Sequence, residues 1–333
     1  MMKTSTFPSL RLRRLRQHPV LRELVRETVL NLHDLILPIF IKGIDGKKQA
    51  ITSMPGHYQI PINALDEEIA EISRLGLSSI ILFGVPPHKN PYGTDSYQDE
   101  GIIQTAVKKI REISSDILII TDVCLCEYTD HGHCGILSTC YGREDVDNDK
   151  TLELLVKQAI SHAQAGANVI APSGMIDGMV AAIREGLDSS GFSHIPILSY
   201  SVKYQSALYG PFRAAAEGAP TFGDRSTHQM DPANGMEALR EAQLDVAEGA
   251  DMLMVKPAHS YLDVIYRIKQ AYPEIPLGAY HTSGEFAMIK AAAEKGWLDE
   301  KRGVLEIVNG IRRAGADFII TYYAKEIARW LRP

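Results

Sequence analysis

Apolar, β-branched runs that end in polar residues and lead into amphipathic segments recur eight times along the chain. They span Leu35–Lys42, Ser79–Gly84, Ile117–Leu125, Ala167–Ser173, Ile195–Tyr204, Asp251–Pro257, Pro276–Ser283 and Asp317–Tyr323, and each reads as a strand. Helical spacing appears between most of them, over Leu65–Leu75, Thr151–Ala165, Met236–Ala247 and Glu285–Glu294. Gly76, Gly166, Gly249 and Gly296 follow as natural helix ends. Strict strand–helix alternation predicts a parallel sheet. An open, doubly wound sheet usually carries a Gly-rich phosphate turn, and no G-x-G-x-x-G occurs here. Eight units therefore favour closure into an α/β (β/α)8 TIM barrel. Setting aside an arm of about 33 residues and one long connection of about 27 leaves roughly 270, the usual size of that fold. The expected organisation is an N-terminal arm over residues 1–33 and a barrel over 34–333 with an active-site lid at 205–231.

Composition excludes some classes. Of the 333 residues 45% are hydrophobic and 23% charged, which is ordinary for a globular chain and excludes disorder. The longest apolar stretch, Leu35 to Ile41, is far shorter than the roughly 20 residues that span a bilayer, so no membrane association and a cytoplasmic location are expected. The net charge of −6 hides an asymmetry. Seven basic residues stand against Glu23 alone in positions 1–26, leaving 28 basic and 40 acidic residues, a net of −12, elsewhere. Arg alternates there with Leu10, Leu12, Leu15 and Leu21, a pattern that offers packing as well as charge and favours contact with a neighbouring subunit over nucleic acid.

In a closed barrel, catalytic groups sit at the C-terminal ends of strands. Lys203 and Lys256 stand near the ends of the fifth and sixth strands. Two amines side by side in a low-dielectric barrel disfavour each other's protonation, and a neutral amine can attack a carbonyl to form a Schiff base. The third strand runs into DVCLCEYTDHGHCG, where alternation places Asp122, Cys124 and Cys126 on one face and a turn at Gly132 returns Cys134. Three thiolates suit Zn2+ and leave a fourth coordination position open, the pattern of a catalytic site. Cys140 is left as a spare. The 205–231 segment is too long for a simple connection. Arg213, Arg225 and Gln229 along it fit a lid that closes over a substrate carboxylate. Ser283 and Tyr322, at the seventh and eighth strand ends, are candidates for a second carboxylate.

Six stretches together, DVCLCEYTDHGHC, SYSVKYQSALYGPFR, GDRSTHQMDPANGMEALRE, MVKPAHSYLD, GAYHTSGEFAMIKAAA and RAGADFIITYYA, resemble the delta-aminolevulinic acid dehydratase (porphobilinogen synthase) family over nearly the whole chain. The resemblance implies a homo-octamer that condenses two 5-aminolevulinate molecules into porphobilinogen with loss of two waters. It implies Lys256 as the Schiff-base lysine and Lys203 as its partner, holding the other substrate. Arg213, Arg225 and Gln229 then hold the second substrate's carboxylate, and Ser283 and Tyr322 the first's. Cys124, Cys126 and Cys134 correspond to the ligands of the zinc-type members, and Glu241 to a carboxylate that in a subset of the family binds a regulatory Mg2+ between subunits. Asp122, on the cysteine face, is a candidate proton acceptor. A class I aldolase would account for the lysines but leave the cysteines idle. A zinc-stabilised binding scaffold would account for the cysteines and the basic arm but not for the lysines.

Overall fold

The computed structural model describes residues 10–140 and 142–332. Eight parallel strands form: β1 (Leu35–Lys42), β2 (Ser79–Val85), β3 (Leu118–Val123), β4 (Val169–Pro172), β5 (Leu198–Lys203), β6 (Met252–Lys256), β7 (Leu277–His281) and β8 (Phe318–Thr321). Hydrogen bonding runs β4-β3-β2-β1-β8-β7-β6-β5. A single bridge, Ile170 to Ile197, joins β4 to the residue before β5, so the barrel is nearly closed. Most strands are shorter than the apolar runs that predicted them. Several runs end beyond their strands at the barrel mouth: Ser283 opens a helix, Tyr204 still donates its N–H to the Lys256 carbonyl, and both side chains remain buried there.

Among the described residues, nine helices surround the barrel: α1 (Leu65–Arg74), α2 (Ile102–Ile113), α3 (Asn148–Ala165), α4 (Met179–Ser189), α5 (Glu237–Ala247), α6 (Leu262–Ala271), α7 (Ser283–Glu294), α8 (Glu300–Ala314) and α9 (Ala324–Leu331). Their apolar stripes cover the outward side chains of the strands, so the main core is the shell between sheet and helices. Antiparallel pairing of Leu137–Cys140 with Arg143–Val146, and of Gln49–Ala50 with Tyr58–Ile60, adds two small ribbons on the loops. The arm has a 3-10 turn at Leu12–Arg16 and a short helix at Pro19–Leu24, and neither buries a residue. Leu10, Leu12, Leu15 and Leu24 are each more than half exposed. Residues 1–9 of the expected arm lie outside the described residues. No helix among the described residues is long and apolar enough to cross a membrane.

Candidate active site

At the C-terminal ends of the strands, Lys256 on β6 and Lys203 on β5 are direct neighbours in the ladder. Plain alternation would not have put both inside. Ser199 donates to Asp245 of α5 on the outside of the barrel, and Lys203, four positions on, would by plain alternation share that outward phase. The ladder passes from Leu253–Ser199 to Val255–Val202, so β5 carries one extra residue. That bulge resets the phase and brings Tyr200 and Lys203 to the same side, with the lysine Nζ 5.7 Å from the ring centre.

Lys256 is buried in an aromatic cage. Its Nζ stands 4.3 Å from the ring centre of Tyr280 and 5.1 Å from those of Tyr200, Tyr209 and Phe212. Burial, then repulsion from Lys203, pushes its pKa down to about 7, against the pull of Asp122. At the ordinary value only about one lysine in 3000 would be neutral at pH 7, and the downward shift raises that fraction greatly. Lys203 donates through Nζ to the carbonyl of Ser173, and the Ser173 hydroxyl donates to Asp122 Oδ2 at 3.0 Å. Ser173 thus ties the second lysine to the buried carboxyl. Burial pushes Asp122 up to about 6, with Lys203 and Lys256 pulling it back, and its Oδ1 has no partner. Sequence alternation passed over Ser173 and the four cage rings, because aromatic and small residues in barrel strands and in the lid look like ordinary core.

The cysteine trio forms differently from the strand geometry expected of it. β3 ends at Val123, and a turn closed by Tyr128 N and Thr129 N on the Leu125 carbonyl carries Cys126 back until its Sγ is 3.4 Å from that of Cys124. Cys134 returns after the Gly132 turn, where φ is 70° and a Cβ would stand 2.2 Å from the lid carbonyl of Ala219. All three Sγ atoms are buried and lie within 4.8 Å of one another. Zn–S bonds of about 2.3 Å at tetrahedral angles require sulfurs about 3.8 Å apart, so the donor set and spacing fit a zinc ion. Hydrogen bonds from Cys124 and Cys126, with attraction from Arg225 and Lys203, hold Cys134 well below the ordinary thiol range. His131 and His133 are engaged elsewhere: their Nε2 atoms face the carbonyls of Pro91, at 3.3 Å, and Phe222, at 3.1 Å.

The 205–231 segment folds over this mouth. Arg225 is buried and donates through Nη2 to the carbonyls of Gly132 and Gly218, and its Nε is left without a partner. Arg213 Nε and both polar atoms of the Gln229 amide are also buried and unpartnered. Native proteins rarely leave so many buried polar atoms without partners, and an anion such as a carboxylate satisfies the guanidinium donors among them. On the opposite wall, Thr282 and Glu285 form a capping box that starts α7 with Ser283 as its first residue. The Ser283 hydroxyl accepts from the lid's Phe212 N at 2.9 Å. Tyr322 OH lies 2.9 Å from Tyr280 OH, one side chain from Lys256. Glu241 lines a cavity of about 1000 Å³ with Cys140, Asp177, Asp149 and the lid's Gln229. Burial, then Asp245 and Asp177, pushes its carboxyl up to about 7.

Residues 9–330 match the family model described as delta-aminolevulinic acid dehydratase. A protein of that name from Halalkalibacterium halodurans is 54% identical over 319 residues, 96% of each chain. The chain belongs to the delta-aminolevulinic acid dehydratase family. Another member, from Synechocystis, is 53% identical over 326 residues, covering 98% of this chain and 99% of that one. The crystal structure of the Toxoplasma gondii member, solved with the reaction product porphobilinogen, superposes with a TM-score of 0.93 at 44% identity, over 96% of this chain and 91% of that one.

Proposed function

We propose that this chain is a porphobilinogen synthase, a hydro-lyase that condenses two 5-aminolevulinate molecules into porphobilinogen and releases two waters. The observation that carries the reading is Lys256, ladder partner of Lys203, buried in an aromatic cage that pushes its pKa down. The neutral Nζ adds to the ketone carbon of the substrate that becomes the propionate side, and expulsion of the carbonyl oxygen as water leaves a Schiff base. Lys203 holds the second molecule. Arg213, Arg225 and Gln229 take that molecule's carboxylate, and Ser283 and Tyr322 take the first one's. Fixing two identical molecules in different orientations supplies much of the advantage, and the lid excludes water from the imine. Asp122, buried with one free oxygen and a pKa near 6, accepts the protons shed as the new bonds form.

Cys124, Cys126 and Cys134 would hold Zn2+, which when bound supplies a Lewis acid beside the second substrate. Glu241, with Asp177 and Asp245 close by, offers hard oxygen donors suited to Mg2+. The exposed leucines of the arm support contact with neighbouring subunits in a homo-octamer. Sedimentation of a chain lacking residues 1–33 is expected to show smaller assemblies.

Borohydride trapping in the presence of 5-aminolevulinate tests the reaction directly, and the adduct should map to Lys256. The trapping rate is expected to rise about tenfold per pH unit between pH 5 and 7 and to level off above, because the neutral amine accumulates only up to its pKa. A rate still climbing beyond pH 9 would mean an ordinary lysine. Asp122→Asn should lower turnover about 10²-fold while trapping persists. It also removes an anion that raises Lys256, so the trapping profile should move to lower pH. Full turnover in this variant would remove Asp122 from the mechanism.

A further inference from the structure

The lid's hold on the barrel gathers at a residue that neither the lysine chemistry nor the carboxylate contacts use. Glu217 lies between Arg213 and Arg225 and has φ of 52°, a left-handed conformation that side chains seldom adopt. Its carboxylate pairs with Lys42 Nζ at the C-terminal end of β1 and accepts from Gln59 Nε2 at 3.2 Å. Gln59 is buried and donates also to the Ala215 carbonyl at 2.7 Å. The Glu217 carbonyl accepts from Lys89 Nζ, in the loop after β2, at 2.6 Å. The next residue, Gly218, accepts from Arg225 Nη2 and donates to the Arg213 carbonyl, and a Cβ there would stand 2.9 Å from the Cys126 carbonyl. Three separate segments of the barrel thus converge on one lid residue, whose neighbour is bonded to both arginines and pressed against the cysteine turn.

We infer that Glu217 is a positioning residue, a latch that keeps the lid closed through Lys42, Gln59 and Lys89 and so sets the affinity for the substrate molecule taken by Arg213 and Arg225. The identity of that molecule rests on the reaction proposed above, but the latch belongs to the protein without substrate. Apparent affinity scales with the fraction of molecules already in the binding-competent form. A single exposed ion pair shifts that fraction only severalfold, and the buried Gln59 and the Lys89 bond add to it. Substrate at saturation draws the lid shut without the latch. The effect therefore falls on KM, with kcat nearly unchanged.

Hydrogen exchange of residues 205–231 without substrate, together with steady-state kinetics, tests this in Glu217→Ala, Glu217→Gln and the charge swap Lys42→Glu with Glu217→Lys. Alanine keeps a Cβ, so the backbone conformation is equally strained and only the latch contacts are lost. Faster exchange confined to the lid is expected in Glu217→Ala, with KM raised about three- to tenfold and kcat within twofold. The glutamine variant should fall between the two, and the swap should recover part of the loss. Unchanged exchange over 205–231 in Glu217→Ala overturns the latch, as does a fall in kcat at constant KM. Should the parent form no porphobilinogen, the reaction assignment fails while the exchange result still decides the latch.

Discussion

Lys256→Met is expected to abolish porphobilinogen formation, a loss on the order of 10⁴-fold or about 5 kcal/mol of transition-state stabilisation. It should leave the melting temperature unchanged or higher. Both halves follow from the cage. The Nζ is the atom proposed to add to the ketone, and Lys203, whose Nζ is bonded to the Ser173 carbonyl, is not placed to replace it. Stability should not suffer, because methionine fills a similar volume among Tyr200, Tyr209, Phe212 and Tyr280 without an amine that dislikes burial. The assay is product formation beside a thermal melt, with borohydride mapping as a third measurement. Retained turnover, or an adduct moved wholly to Lys203, would overturn the assignment of the Schiff base to Lys256. A binding scaffold would yield no adduct in either protein.

Loss of the cysteine site is expected to cost activity as well. Treatment with a chelator, or Cys126→Ala, is expected to lower turnover at least about 10²-fold with the fold retained, and added Zn2+ should restore the chelated protein but not the variant. The fold is expected to survive because the trio sits in a turn beyond the end of β3, outside the strand ladder and the shell between sheet and helices. Circular dichroism and a metal-release assay check the two parts separately. Unfolding on chelation would make the site structural. Full activity without metal would set the thiols aside and leave the class I aldolase type of lysine chemistry as the better account.

Much of the site was legible along the chain because its residues stand at strand ends, and strand ends are marked by where apolar runs give way to polar residues. Lys203, Lys256, Asp122, Cys124 and Cys126 were found that way, and Cys134 through the turn at Gly132. The cage of Tyr200, Tyr209, Phe212 and Tyr280 was not, since nothing local separates an aromatic that shields an amine from one that fills a core. Ser173 and Glu217 escaped for a related reason. Each matters through partners far away in sequence, Lys203 and Asp122 for the first and Lys42, Gln59 and Lys89 for the second.

Periodicity and turn residues alone determined the eight-strand alternation, the location of the lid and the supply of amines, thiols and guanidinium groups, because these depend on short-range spacing. Only the tertiary structure decided the phase of β5. The bulge that turns Lys203 inward is visible solely in its pairing with β6. It alone also decided the protonation of Lys256, because desolvation and the field of a neighbouring charge depend on what the rest of the barrel brings within a few ångströms.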